Sequence, residues 1–348
     1  MQYSSFDNKR ILVTGGSGFI GSHIVNELIK LNPLSIRIID NRDNQYIESH
    51  DNITVVKGDI SNFEFCVDMT KDIDIVCHQA ALASVPKSID NPILNHSSNV
   101  DGFFNLLHAS YVNKVKRFVY ASSSAIYGNV KELPSCEYEN HKNIISPYAL
   151  SKYVNDQYAN LYTTLYGMET VGLRYFNVYG ERQDPMSAYA CVVPIFLTKL
   201  QNDEQPIIFG DGNKSRDFIY VKDIVDANIK AMTIMQNDEK DVFGQSYNVG
   251  SGVSTKIIDI FNKIKEKLNK DTEPIFGNER LGDANITLSC NLLCEMKLGF
   301  KAKWSLDVGL DETIKNFGIN KENNKKHDHK HEHKHEHKHG ECNHSHDD

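Results

Sequence analysis

One tryptophan and nine prolines are spread over 348 residues, and no apolar run approaches the length of about 18 residues that a membrane-spanning helix needs. No membrane partner is expected. The opening decapeptide, MQYSSFDNKR, is polar and lacks the apolar core of a secretory leader. Seven cysteines, at 66, 77, 136, 191, 290, 294 and 342, are odd in number and form no C-x-x-C. That argues against a disulfide framework and for free thiols in a reducing compartment, so a cytoplasmic protein is expected. Positive charge is also scarce: 38 Lys and Arg stand against 46 Asp and Glu, a net charge of −8. A nucleic-acid or anionic-membrane partner would favour the opposite balance. What is present, 40% apolar and 24% charged residues, is the mixture of a globular protein. The length is about twice that of a common domain, enough for a large core in two lobes.

Apolar residues run out near Asn320. Beyond it, KENNKKHDHKHEHKHEHKHGECNHSHDD holds nine of the fifteen histidines and cannot bury enough surface to order itself. Residues 319–348 are therefore expected to be a disordered His-rich tail. Its alternating imidazoles from His327 to His339, with Cys342, His344 and His346, suit weak binding of Zn²⁺, Ni²⁺ or Cu²⁺ in many registers. A metal-binding module using this tail is the non-enzymatic alternative; the body of the chain is expected to hold no metal.

Upstream, the short apolar runs Ile11–Thr14, Ile36–Asp40, Ile53–Lys57, Ile73–Gln79, Arg117–Ser122 and Thr170–Tyr175 alternate with segments long enough for crossover helices. Such alternation builds βαβ units, and nearly continuous apolar strands suit a parallel sheet buried on both faces. An α/β fold with a doubly wound parallel sheet is expected. From Val178 onward the repetition stops, and Pro, Gly and polar residues become denser. The sheet domain is placed at residues 1–177 plus about 217–250. A smaller C-terminal substrate-binding lobe is placed at 178–216 plus about 251–318.

Thr14-Gly15-Gly16-Ser17-Gly18-Phe19-Ile20-Gly21 follows the first strand and opens a helical pattern. Glycines at 15, 18 and 21 permit a tight turn, close backbone approach to a pyrophosphate and close helix packing, and the helix N-terminus favours negative charge. Asp40 ends the second strand nineteen residues after Gly21, where a carboxylate accepts hydrogen bonds from a ribose and repels a 2′-phosphate. This is the Rossmann arrangement, and it favours NAD over NADP, although Arg42 stands close enough to offset the preference. Asp59 and Ile60 follow the third strand, where they could meet the adenine; capping of the next helix is the other reading of Asp59.

Ser146-Pro147-Tyr148-Ala149-Leu150-Ser151-Lys152 starts a second notable helix, with Pro in its first turn, and the i,i+4 spacing puts Tyr148 and Lys152 on one face. A tyrosine serves as a base at neutral pH only if its pKa falls from about 10 to about 7, on the order of 4 kcal/mol of charge stabilisation. A neighbouring ammonium and a positively charged nicotinamide can supply it.

With these residues in place the sequence resembles the extended short-chain dehydrogenase/reductases, NAD-dependent nucleotide-sugar epimerases and dehydratases, and among them UDP-N-acetylglucosamine 4-epimerases. The likeness runs from about Lys9 to Phe317. It implies a catalytic triad of Ser123, Tyr148 and Lys152, with Ser124 assisting and Lys152 also holding the nicotinamide ribose. L-R-Y-F-N matches Leu173–Asn177, which assigns Asn177 to a sugar-nucleotide phosphate. G-D-G-x-x-x-R-D-F matches Gly210–Phe218 and gives Arg216 to the pyrophosphate. R-x-G-D matches Arg280–Asp283, which in relatives hold pyrophosphate and ribose. Planar guanidinium forks suit a diphosphate.

Dehydratases of the family carry Asp-Glu after the catalytic Ser/Thr; here Ser124 and Ala125 stand there. Elimination lacks its acid, and oxidation and re-reduction at C4 remain. The resemblance implies that the Tyr148 phenolate takes the C4 hydroxyl proton while hydride passes to NAD⁺. The 4-keto sugar then turns about its diphosphate and hydride returns to the other face, so NAD is regenerated and stays bound. UDP-GlcNAc/UDP-GalNAc is the implied substrate pair, with Ser84, Asn177 and Gln183 near the acetamido group and Cys191 lining the pocket. Thr287 falls where a bulky Tyr restricts relatives to UDP-glucose/UDP-galactose. A UDP-glucose or UDP-glucuronate 4-epimerase, or a 4-reductase on the same scaffold, stays open. The resemblance also implies a homodimer built from the helix beginning at Tyr148 and one over Ile93–Val112. Tyr158, Tyr162 and Tyr166 form a stripe on the former that reads as packing. Cys290 and Cys294, at i,i+4, and His78 likewise read as packing residues.

Overall fold

Ile11 and Val13 of the first strand enter one apolar cluster and Leu12 enters another, so the sheet that begins here is covered on both faces. The chain is described by a computed structural model over residues 2–47, 49–130, 132–138, 143–185, 191–235, 241–279 and 284–317. The expected tail, Arg280 and Asp283 lie outside the described residues. In order the elements are β1 (Arg10–Thr14), α1 (Phe19–Lys30), β2 (Ser35–Asp40), β3 (Ile53–Lys57), α2 (Phe63–Thr70), β4 (Ile75–His78), α3 (Val85–Asp90), α4 (Pro92–His96), α5 (Gly102–Val112), β5 (Arg117–Ser123), α6 (Pro147–Tyr166) and β6 (Glu169–Tyr175). They continue with β7 (Asn177–Tyr179), α7 (Val192–Gln201), β8 (Ile207–Phe209), β9 (Ser215–Tyr220), α8 (Val221–Thr233), β10 (Gln245–Val249), β11 (Ser254–Lys256), α9 (Ile257–Lys267), β12 (Ile275–Gly277), α10 (Leu292–Leu298) and α11 (Leu306–Phe317).

Seven strands form the large sheet in the order β10-β6-β5-β4-β1-β2-β3, every pair parallel. The doubly wound α/β fold expected from the sequence is thus present. Helices α1, α8 and α10 bury Ile24, Leu28, Ile224 and Leu298 against one face. On the other, α2, α5 and α6 contribute Cys66, Phe103, Leu106 and Tyr162. Each such buried aliphatic or aromatic side chain is worth about 1.5–3 kcal/mol relative to exposure. Strand order reverses between β1 and β4, so their carboxyl ends open the crevice in which α/β sheets bind ligands.

The remaining strands make a three-stranded sheet, β11-β9-β7, and a parallel β8–β12 pair, with α7, α9 and α11 packed around Phe196, Phe261 and Leu310. The chain passes from one sheet to the other at Tyr220–Val221, since β9 pairs with β7 while α8 packs on β4, β5 and β6.

Local details differ from the sequence reading. The fourth strand is shorter than Ile73–Gln79, and the helix expected over Ile93–Val112 is interrupted by a π-helical turn at Ser97–Asp101. Cys290 precedes α10, which starts at Leu292, so it shares no helical face with the buried Cys294. Helix α2 is capped by Asn62, whose side chain accepts from the Phe65 amide at 2.9 Å, and not by Asp59, which accepts from the Ser61 amide at 2.9 Å. Among the described residues no helix is long and apolar enough to cross a membrane.

Candidate active site

The loop over residues 15–18 joins β1 to α1 and, with Gly21 in the first turn of the helix, is held by contacts that only glycine allows. Gly15 sits at φ +68°, where a Cβ would come within 2.7 Å of the Ala80 amide nitrogen, and a Cβ at Gly21 would collide with the Gly15 carbonyl oxygen. Gly18 begins α1 without any side-chain cap, which leaves the amides of the first turn, at Phe19 and Ile20, for an anion. Asp40 is buried and accepts from the Ser17 amide at 2.9 Å and the Arg42 amide at 3.0 Å. Gly58 donates to the Asp40 carbonyl, which brings Asp59 and the buried Ile60 to the same edge. The Ser17 and Ser122 hydroxyls are buried beside the crevice with no hydrogen-bond partner among the described residues. Tight glycines, uncapped helix amides, a buried carboxylate and unsatisfied hydroxyls together fit a dinucleotide.

Helix α6 is fixed at its start by Ser146, whose side chain accepts from the Ala149 amide at 3.1 Å, and by Pro147. It ends where Gly167 turns left-handed at φ +67°. This sets Tyr148, half-buried, in the first turn and Lys152, buried, one turn on. The Lys152 ammonium donates to the Ala121 carbonyl at 2.8 Å and lies 6.0 Å from the centre of the Tyr148 ring. Burial pulls its pKa down to about 8, against the opposing pull of the Asp156 carboxylate. Burial pushes the Tyr148 phenol up, and the hydrogen bond from Ser123 only partly offsets it. Of the protein's own groups the Ser123 hydroxyl lowers the phenol pKa, and desolvation outweighs it. His78 is the packing histidine expected: it shares a 2.7 Å hydrogen bond with Thr14 and is neutral, burial having lowered its pKa to about 3.

One cleft gathers Ser123, Ser124, Tyr148, Asn177, Arg216 and Thr287. Ser123 ends β5, and its hydroxyl also accepts from the Ala125 amide at 3.1 Å. Ala125 lines the same cleft, and no carboxylate does among the described residues. Asn177 donates to the Asp217 carbonyl at 3.3 Å and to the Thr287 hydroxyl at 3.2 Å. The Arg216 guanidinium, buried, donates to the carbonyls of Ser215 at 2.8 Å and Asn285 at 3.2 Å.

Three expected residues stand outside that lining. Ser84 caps α3 through the Lys87 amide at 3.2 Å, and its neighbour Val85 faces the cleft instead. Gln183 donates to the Val178 carbonyl at 3.2 Å, and its own carbonyl oxygen is buried with no partner among the described residues. Cys191 precedes α7; burial raises its thiol pKa, while the Val192 and Val193 amides and the nearby Arg216 work the other way.

The sequence reading missed Asn99. Its side chain accepts from the Leu82 amide at 2.7 Å and donates to the Leu82 carbonyl at 3.2 Å, and its own carbonyl accepts from Asn155 at 3.0 Å. It thereby ties the loop after β4 to α6, from the widened π-helical turn. No local signal marked it, since Asn99 sits in the mostly polar stretch of residues 95–101.

Residues 11–250 match the model of the NAD dependent epimerase/dehydratase family. The chain belongs to that family. A UDP-N-acetylglucosamine 4-epimerase from Methanobrevibacter ruminantium, solved with UDP-N-acetylmuramic acid, is 39% identical, with a TM-score of 0.82 over 89% of this chain and 98% of that one. A Thermotoga maritima UDP-glucose 4-epimerase solved with UDP-glucose is 35% identical, with a TM-score of 0.82 over 88% and 98%. A Thermus thermophilus UDP-glucose 4-epimerase in complex with NAD is 31% identical, with a TM-score of 0.78 over 88% and 98%. As a member, this chain is an NAD-dependent enzyme of the nucleotide-sugar epimerase/dehydratase class.

Proposed function

We propose that the enzyme interconverts UDP-N-acetylglucosamine and UDP-N-acetylgalactosamine by inversion at C4. The observation that carries the reading is the cleft around Tyr148: a phenol, two serines and Thr287 in one lining, with no carboxylate among the described lining residues. Without an acid beside Ser123, elimination of water is unsupported and C4 oxidation with re-reduction is favoured. A small side chain at 287 leaves room for an acetamido group.

Gly15, Gly18, Gly21 and Asp40, with Phe19, Ile20, Asp59 and Ile60 at the same edge, would hold NAD, and Lys152 its nicotinamide ribose. When bound, oxidised NAD supplies the hydride acceptor and a positive charge beside Tyr148. Tyr148 accepts the proton of the C4 hydroxyl and gives it back in the return half-reaction, while Ser123 holds the C4 oxygen and Ser124 assists. Arg216 and Asn177 fix the diphosphate, about which the oxidised sugar turns; Arg280 and Asp283 are assigned to the same task from the sequence. Ser84, Gln183 and Cys191 are assigned to the acetamido end.

A homodimer is part of the proposal. On α5 and α6, Phe104, Tyr111 and Tyr166 are exposed and their rings meet one another or the buried Tyr162, whose hydroxyl lies 2.9 Å from His108; Leu165 on α6 is exposed as well. A contiguous aromatic face of this kind marks an interface. The His-rich tail is proposed to bind Zn²⁺ or Ni²⁺ weakly, with no part in the chemistry.

The test is product analysis after incubating the purified protein with UDP-GlcNAc and no added cofactor. UDP-GalNAc is expected. Interconversion of UDP-glucose and UDP-galactose alone would move the assignment to that pair, and no interconversion of any UDP-hexose would sink it.

A further inference from the structure

We propose that Asp217 is the positioning residue of the sugar-nucleotide side of the cleft: a buried carboxylate that holds Asn177, Arg216 and Thr287 in register through the two loops it binds. The G-D-G-x-x-x-R-D-F string gave a role to Arg216 and none to its neighbour. The inference rests on the nucleotide-sugar reading above.

Asp217 is fully buried, in β9, and its two oxygens accept five hydrogen bonds. One oxygen takes the Ser251 amide and the Ser251 hydroxyl, both at 2.7 Å. The other takes the Gly252 amide at 3.0 Å, the Ser289 amide at 3.0 Å and the Ser289 hydroxyl at 2.6 Å. The approach is so close that a Cβ on Gly250 would lie 2.8 Å from the carboxylate. Only an acceptor-only group with lone pairs on both oxygens can serve five donors; an amide in its place turns one donor group toward them.

The backbone of the same residue faces the cleft residues. Its amide donates to the Thr287 hydroxyl at 3.0 Å, and its carbonyl accepts from Asn177. Asn177 also reaches Thr287 directly, so three cleft segments meet at the backbone of one residue. Thr287 lies two residues from Ser289, which the carboxylate holds, and its stretch runs beside β9 through the Ser215–Ile286 bridge. Asp217 touches none of Ser123, Tyr148 or Lys152 by any hydrogen bond described. Its loss should therefore loosen the sugar-nucleotide wall and leave proton transfer intact.

The experiment measures Kd for UDP by calorimetry, KM and kcat for the UDP-sugar, retained NAD and thermal midpoint in the intact protein. Asp217→Asn is expected to weaken UDP binding and raise KM by about tenfold or more, with kcat within about threefold and NAD retained, since hydrogen bonds to a charged group are the stronger kind. Ser289→Ala and Ser251→Ala, which keep the charge and remove one donor each, are expected to give about three- to tenfold of the same change and stand in if Asp217→Asn does not fold. Variants that lose thermal stability yet bind UDP with wild-type Kd and KM show a merely structural carboxylate and overturn the inference, as does a fall in kcat with KM unchanged. Wild-type protein that binds no UDP removes the nucleotide-sugar reading itself, and this inference with it.

Discussion

The two halves of the cleft are made differently. The dinucleotide side is mostly backbone: a four-residue loop between β1 and α1, glycines at 15 and 21 where a Cβ would strike main chain, and one buried acid at the next strand end. The sugar-nucleotide side is made of side chains from β7, β9 and the segment before α10, joined by the contacts of Asp217, Asn177 and Thr287. A backbone cradle recognises what dinucleotide cofactors share, a pyrophosphate, and tolerates little change. A wall assembled from distant side chains can alter its occupant by exchanging one of them while the chemistry of Tyr148 stays the same.

The sharpest break of that comparison is Tyr148→Phe, which removes the proton acceptor and leaves the glycine loop and the Asp217 contacts in place. A fall in kcat of about 10²–10⁴-fold is expected, with retained NAD and UDP affinity close to wild type. Steady-state kinetics with a cofactor-release assay checks it, and full turnover in the variant would end the phenol's role. Gly21→Ala attacks the backbone half. Its Cβ collides with the Gly15 carbonyl, a main-chain atom that cannot swing aside. Overpacking of this kind costs about 1–3 kcal/mol, so NAD affinity is expected to drop about ten- to a hundredfold, with UDP affinity unchanged. Absorbance of released cofactor reads the first and calorimetry the second.

How much was legible in the sequence follows the same division. The glycine loop, Asp40 and the Tyr148–Lys152 pair are short-range patterns, because a turn or one helical turn fixes their geometry. Six parallel strands were visible as apolar runs; five are buried on both faces and carry no polar stripe, while β3, at the sheet edge, was visible from its β-branched residues alone. Asp217 and Asn99 were not legible: each acts through partners tens of residues away, Ser251 and Ser289 for one and Leu82 and Asn155 for the other. The surroundings of Lys152 were hidden for a related reason. Spacing shows that an ammonium is one turn away, but not that it is bound to Ala121 and that burial prevails.

Thr287→Tyr tests whether one side chain on the assembled wall sets the substrate. The bulk is expected to lower kcat/KM for UDP-GlcNAc relative to UDP-glucose by about 10–200-fold, the range a pocket gains from steric fit. Thr287→Ser is the control, since it keeps the hydroxyl that meets Asp217 and Asn177. An unchanged ratio in the tyrosine variant would place the selectivity elsewhere.

The smallest expected effect is the most diagnostic of the catalytic wall, because activity and stability should respond to pH with opposite signs. Burial lowers the Lys152 pKa from 10.5 to about 8, so the folded protein gives up this proton before the unfolded chain does. Between those values the unfolded state binds more protons, and the contribution of this lysine to stability rises with pH. Below about 8 the ammonium is charged in both states, and its desolvation weighs fully against folding. Turnover needs that ammonium, so kcat should fall by up to about tenfold per pH unit above 8 while the lysine's part in the thermal midpoint moves upward. Comparing wild type with Lys152→Met isolates the term: the variant should lose the alkaline limb of kcat along with most activity, and its midpoint should lack the rise. A wild-type kcat flat to pH 10 would mean that Lys152 keeps its proton in the working enzyme and that the buried ammonium is better stabilised than its contacts with Ala121 and Asp156 account for.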